Sequence, residues 1–120
     1  PHASTFGGNP LATAAAGAVL EIIERDGLLA QVTSLGEHLG AALDGLVQRH
    51  GHVALEARGR GLLRGLRVKE NAAGVVARAR EQGVLLSLAG ADVVRFAPSY
   101  VVTTAQLDEA VATLGQALEA

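Results

Sequence analysis

The sequence predicts an α+β domain: helices cover one face of a small, mostly antiparallel sheet, and a long connecting helix precedes it. Three observations carry that expectation. Apolar residues follow helical spacing through the first half of the chain, switch to period-two alternation with glycine corners from His52, and return to helical spacing after Asn71 and again after Thr103. With 49% hydrophobic and 18% charged residues, a chain of 120 residues buries a real core and is not intrinsically disordered.

The first helix is expected over Pro10–Arg25. Asn9 is a preferred N-cap, and Pro10 suits the first helical position because its missing N–H has no partner there. Val19, Leu20, Ile22 and Ile23 are its heavier apolar residues. Ala14, Ala15, Ala16 and Gly17 let another backbone approach closely, which suits a helix covered in a larger assembly. Asp26-Gly27 breaks it. A second helix over Leu28–Arg49 carries one apolar stripe: Leu28, Val32, Leu35, Leu39, Leu43 and Leu46. Gly36, Gly40 and Gly45 each weaken it by about 1 kcal/mol relative to alanine, so tertiary packing must hold it.

Val53, Leu55 and Ala57 alternate as a half-buried strand, and Gly59-Arg60-Gly61 makes a corner before a second strand over Leu62–Val68. After the turn Lys69-Glu70-Asn71, Asn71 caps a helix to Gln82, and Gly83 fits a left-handed C-cap. Val84–Leu88 reads as a third strand, Ala89-Gly90-Ala91-Asp92 as a hairpin turn, and Val93–Ala97 as the return strand ended by Pro98. Thr103 with Gln106 forms a capping box for a last helix, whose buried stripe is Leu107, Val111, Leu114 and Leu118.

Several function classes are disfavoured. A net charge of −2, with Phe6, Phe96 and Tyr100 the only rings, gives no footprint for nucleic acid. The absence of cysteine excludes disulfides and thiolate metal sites. His2, His38, His50 and His52 have no acidic ligand cluster; His50 and His52 read as exposed loop residues, so no metal is expected. The apolar stretch from Leu11 to Ile23 is too short and too interrupted to span a membrane, and no signal-peptide pattern is visible, so a soluble cytoplasmic protein is expected. Gly59, Gly61 and Gly65 miss the dinucleotide fingerprint, because they enter a strand rather than a helix; they read as a bulge or a close backbone contact.

Two places carry chemistry. In Ser4-Thr5-Phe6-Gly7-Gly8-Asn9-Pro10, two hydroxyls and two glycines lead into a helix start, a combination suited to binding an anion. Arg95 stands between Val94 and Phe96 on an apolar strand, and a buried arginine needs a paired anion. That anion is either a structural carboxylate or the carboxylate of a substrate, and the residues alone leave both open.

The segment from His2 to Leu11 closely resembles the His-Gly-Ser-Thr-(Phe/Tyr)-Gly-Gly-Asn-Pro-Leu segment of the class III aminotransferases, pyridoxal-phosphate enzymes of fold type I, and departs from it only at Ala3. Arg58-Gly59-Arg60-Gly61-Leu62-Leu63-Arg64-Gly65 resembles the glycine-rich strand pair opening that family's C-terminal domain. Val93-Val94-Arg95-Phe96-Ala97-Pro98 resembles its Ile-Arg-Phe-Ala-Pro strand, with Ser99 and Tyr100 where Pro and Leu are usual. The resemblance implies a large-domain remnant over 1–27, carrying the cofactor-phosphate loop, and a small domain over 28–120.

It further implies that Thr5 hydrogen-bonds the phosphate of pyridoxal 5'-phosphate in the neighbouring subunit of a homodimer. Ser4 would face substrate, and Arg95 would hold a substrate carboxylate, an internal Glu being released when substrate arrives. Phe6 and the compact ending at Ala120 look more like the branch moving the δ-amino group of N-acetylornithine to 2-oxoglutarate in arginine biosynthesis. Other readings are another ω-amine donor (succinylornithine, ornithine or γ-aminobutyrate) or a non-catalytic binding or dimerisation module. The chain opens directly on the motif at Pro1 and reads as part of a longer protein. In the family the Schiff-base lysine, and the acid beside the pyridinium nitrogen, precede the Ser-Thr motif, so both are expected upstream of Pro1.

Lys69, the one lysine, lies in a charged turn and is not expected to carry the cofactor. Borohydride reduction of the 120-residue chain with pyridoxal phosphate should therefore leave Lys69 without stoichiometric label by mass spectrometry.

Overall fold

The computed structural model describes residues 3–69 and 71–119. Its elements are α1 (Pro10–Arg25), α2 (Leu28–Arg49), β1 (Ala54–Arg60), β2 (Leu63–Val68), α3 (Ala72–Glu81), β3 (Ser87–Ala89), β4 (Val93–Phe96) and α4 (Thr104–Glu119). Every pairing in the sheet is antiparallel, and the strand order is β1-β2-β4-β3. The α+β architecture expected from the sequence is the one observed.

Local chemistry sets the element ends. The Asn9 carboxamide oxygen accepts from the Ala12 N–H at 2.9 Å and starts α1. Asn71 takes a left-handed conformation (φ 53°), and its side chain accepts from the Gly74 N–H at 3.0 Å to start α3. Gly83, at φ 87°, follows the end of that helix. At α4 the capping box is complete. Thr103 Oγ1 accepts from the Gln106 N–H at 3.2 Å, and Gln106 Oε1 accepts from the Thr103 N–H at 3.0 Å.

Helices α2, α3 and α4 pack on one sheet face. The α2 stripe supplies Leu39, Leu43 and Leu46, the sheet supplies Leu66, Val68 and Val94, and α4 supplies Leu107, Val111, Leu114 and Leu118, all buried. Two histidine–carboxylate contacts tie α2 to α4: His38 Nε2 lies 2.6 Å from Asp108 Oδ1, and His50 Nδ1 lies 3.8 Å from Glu119 Oε1. Arg78 of α3 donates from Nε and Nη2 to the Ala117 carbonyl, at 2.9 and 2.6 Å.

The strand expectations need three corrections. Ala54 rather than Leu55 enters the core, because a bulge between Ala54 and Glu56 shifts the register and turns Leu55 to solvent. The third strand is Ser87–Ala89 instead of Val84–Leu88, since Val84 to Leu86 make no ladder. Leu62 belongs to the β1–β2 turn, although it is buried there. His50 also departs from expectation, for its ring is only 12% exposed against α4.

Helix α1 stands apart, with no buried residue. It gives the chain a radius of gyration of 16.9 Å and a long dimension of 52 Å. A compact domain of this length measures about 14 Å.

Helix α2 meets the β1–β2 turn backbone against backbone. A Cβ at Gly36 would stand 2.5 Å from the Gly61 carbonyl carbon and oxygen. Across this junction Arg64 donates from Nε to the Gly61 carbonyl (3.0 Å), from Nη1 to Gly59 (2.9 Å) and from Nη2 to Gly36 (2.8 Å). Gly36→Ala should therefore destabilise the domain by about 1–3 kcal/mol, through overpacking against backbone. At Gly45 a Cβ meets the flexible end of Arg49. Gly45→Ala should thus be neutral or gain up to about 1 kcal/mol of helix propensity. Denaturant melts of the two variants check the contrast.

Candidate functional site

The amino-terminal motif folds as two overlapping turns. The Gly7 N–H donates to the Ser4 carbonyl at 3.3 Å and the Asn9 N–H to the Phe6 carbonyl at 3.4 Å, while Asn9 Nδ2 also donates to Phe6, at 2.7 Å. Gly8 lies at φ 77°, a conformation only glycine adopts without strain, so the second glycine is required for the reversal. Asn9 thus closes the loop on one side and caps α1 on the other. Ser4 and Thr5 are exposed, and within the described residues neither hydroxyl donates a hydrogen bond. His2, at the start of the motif, lies outside those residues.

This loop passes a chemical test for a phosphate. It presents two hydroxyl donors beside a helix N-terminus, and the first turn of α1 holds no carboxylate to repel an anion. The residues fit the group.

Arg95 occupies the middle of β4. The pleat turns Val94 and Phe96 into the core and Arg95 to the opposite, open face, so the expectation of a buried arginine is corrected. Alternation alone carried that information: apolar neighbours on both sides of one strand residue place it on the other face. Arg95 Nε donates to Ser87 Oγ, its cross-strand neighbour, at 3.1 Å. Sequence reasoning missed Ser87, which gave no signal without the register. Among the described residues no carboxylate pairs with Arg95. Its guanidinium therefore keeps donors available for a ligand.

Arg95 lines two depressions. One, of about 310 Å³, runs between the β3–β4 hairpin and α4, with Phe96, Pro98 and Leu107 on its apolar wall. The other, of about 450 Å³, lies on the open sheet face and includes Arg58, Arg60 and Gly65. Neither includes Ser4 or Thr5, because α1 holds the hydroxyl loop at its far end. Within this chain, then, the two candidate sites are separate.

The other titratable residues offer no competing centre. Among the described residues, Arg25 and Asp26 have displaced acidities: their hydrogen bond at 2.7 Å lowers the carboxyl pKa and raises that of the guanidinium. That pair sits exposed at the α1–α2 corner. Lys69 is exposed, with its backbone N–H donating to the Val53 carbonyl at 2.8 Å. No group of three metal-ligating side chains occurs among the described residues, and no helix there is long and apolar enough to cross a membrane.

Comparison with known proteins bears on the family and the fold. The family profile described as Aminotransferase class-III matches residues 1–118. The chain is 48% identical to acetylornithine aminotransferase of Gloeobacter violaceus, over 94% of this chain and 28% of that protein. It is 44% identical to the acetylornithine aminotransferase of Thermosynechococcus vestitus, over 98% of this chain and 29% of that protein. Among solved structures, lysine aminotransferase from M. tuberculosis in the internal aldimine form superposes with a TM-score of 0.91 at 36% identity, covering 98% of this chain and 28% of that one. Acetylornithine aminotransferase from Elizabethkingia anophelis superposes with a TM-score of 0.89 at 28% identity, covering 99% and 31%. The chain thus spans between a quarter and a third of the length of these relatives. With its motif, its fold and its whole described length matched, the chain belongs to the class-III aminotransferases, which depend on pyridoxal phosphate.

Proposed function

We propose that this chain is the C-terminal part of an acetylornithine aminotransferase. The whole protein, a cytoplasmic homodimer, transfers the δ-amino group of N-acetylornithine to 2-oxoglutarate in arginine biosynthesis. The observation that carries this reading is the identity of 41–48% to proteins of that name across nearly the whole chain. The exposed hydroxyl loop and the open-face arginine supply chemistry that fits it. Residues 1–27 belong with the cofactor domain and 28–120 form the small domain; the core that begins at Leu28 and the bare surface of α1 support that division.

When bound, pyridoxal phosphate supplies the electron sink for exchanging the amino group. Thr5 would hold the cofactor by donating a hydrogen bond from its hydroxyl to a phosphate oxygen, across the dimer interface. Ser4, one residue before, faces the substrate. Arg95 binds a substrate carboxylate through two parallel N–H donors, and its bond to Ser87 holds the planar guanidinium in one orientation. The lysine and the acid that complete the site come from upstream chain.

A second reading changes only the amine. The superposition on a lysine aminotransferase favours testing lysine, with ornithine, against N-acetylornithine as donors to the whole protein. The largest kcat/KM for N-acetylornithine supports the proposal; a larger value for lysine or ornithine replaces it.

Two variants of the whole protein test the residue roles. Thr5→Val removes one hydrogen bond to a charged acceptor and should weaken cofactor retention by about 1.5–3 kcal/mol at both sites of the dimer. Spectrophotometric titration of the apoprotein measures this, and an unchanged dissociation constant would mean the hydroxyl serves only the loop. Arg95→Lys keeps the charge and loses the fork, so KM for carboxylate substrates should rise about tenfold to a hundredfold with melting temperature nearly unchanged. A lower melting temperature with unchanged KM would instead assign Arg95 to a structural ion pair.

A further inference from the structure

Asn9 does more than a helix cap requires. Its carboxamide works at both ends: Oδ1 accepts from the Ala12 N–H at 2.9 Å, and Nδ2 donates to the Phe6 carbonyl at 2.7 Å. Its backbone is fixed to α1 as well, because the Asn9 carbonyl accepts from the Thr13 N–H at 3.0 Å and from Thr13 Oγ1 at 3.1 Å. Serine and aspartate cap helices as well as asparagine does. Neither offers an amide donor beside the capping oxygen, so the residue type exceeds what the cap demands.

The bond to Phe6 is shorter than either backbone bond of the loop, which close at 3.3 Å (Gly7 to Ser4) and 3.4 Å (Asn9 to Phe6). Gly7 and Gly8 separate Phe6 from Asn9, and Gly8 sits at φ 77°. Two glycines in succession leave many backbone paths open, so hydrogen bonds must select one of them. Packing within this chain does not select it: residues 3–8 are exposed, Phe6 to 81%. The Phe6 carbonyl lies one residue beyond Thr5. Tying that carbonyl to Asn9 therefore fixes the course of the chain at Thr5 relative to the first turn of α1.

We infer that Asn9 is a positioning residue for the cofactor phosphate: through the bond from Nδ2 to the Phe6 carbonyl, it holds the Thr5 segment in one place relative to the N-terminus of α1. This rests on the phosphate role proposed above for Thr5. It adds that the loop and the helix form one preformed unit, so that binding does not have to order the loop.

The test uses the whole protein, freed of cofactor and titrated with pyridoxal phosphate. The unsubstituted protein is compared with Asn9→Ser, Asn9→Ala, Thr5→Val and the double variant Thr5→Val with Asn9→Ser. Serine keeps a capping oxygen and is too short to reach Phe6, whereas alanine loses both functions. Amide hydrogen exchange over residues 10–13 reads the cap, and should quicken in Asn9→Ala while staying near the unsubstituted rate in Asn9→Ser. Dissociation constants for the cofactor read the tie. Both single variants at Asn9 should raise them about threefold to tenfold, the loss of one neutral hydrogen bond. An unchanged constant in Asn9→Ser beside a raised one in Asn9→Ala would make Asn9 a cap alone and overturn the inference. In the double variant, Asn9→Ser should add no more than about twofold to the loss from Thr5→Val, because no hydroxyl remains to be positioned. Full additivity would overturn the inference too, since Asn9 would then act through another group. Should serine cap poorly, the double variant still decides. If Thr5→Val weakens binding and Asn9→Ser does not, only this inference fails. If Thr5→Val leaves the constant unchanged, the phosphate role of Thr5 is itself wrong.

Discussion

The guanidinium of Arg64 reaches three backbone carbonyls, those of Gly36, Gly59 and Gly61, and the packing of helix on sheet depends on it. Where α2 crosses the two-residue hairpin turn, the bonds to the Gly36 and Gly61 carbonyls are part-buried, and buried acceptors without donors are costly. One planar cation with several fixed donors satisfies all three at once. The geometry works only because the helix comes very close, and it comes close only because Gly36 and Gly61 have no side chains to separate them. Gly40 provides the next space along α2, where a Cβ would stand 3.1 Å from the guanidinium carbon of Arg64. Glycines that cost helix propensity are thus part of the junction.

From that junction the rest of the sheet and its covering helices is organised. The hairpin fixes β2, β2 fixes β4 by register, and register decides which side chains of β4 meet the helices and which face outward. The open face carries Arg58, Arg67 and Arg95 beside Leu63 and Val93, because residues alternating with Leu66, Val94 and Phe96 have no helix above them. A family that binds small acids can place arginines there without the desolvation penalty of a core. The other candidate site obeys different constraints. The Ser4–Thr5 loop belongs to a helix with no buried surface in this chain, so its backbone turns set its shape and tertiary packing contributes little.

Much of the architecture was legible because it rests on local or periodic signals. The stripe from Leu28 to Leu46, the caps at Asn9 and Asn71, the box at Thr103 and Gln106, and the left-handed Gly83 are each contained within a few residues. What was not legible depended on pairing between distant segments. Leu55 looked like a core residue because alternation was extrapolated through a bulge that only the partner strand reveals. Arg95 was expected to be buried because its neighbours are apolar, although those neighbours show that its own side chain faces the other way. Arg64 passed unnoticed inside a glycine-rich run, since nothing in that run says that α2 will lie across it. The motif around Ser4 and Thr5 was readable as an anion loop from residue types alone.

The contact between His38 and Asp108 joins residues 70 positions apart, and it has a consequence for how the domain is made. Helix α2 cannot complete its apolar seam, nor α3 place Arg78 against Ala117, until α4 exists. During synthesis α4 is the last of these elements to leave the ribosome. The sheet and two of its three covering helices emerge with Leu39, Leu43 and Val75 lacking the final cover that α4 supplies. Docking across such a separation leaves the half-built core, until α4 has emerged, to whatever protects nascent hydrophobic surface.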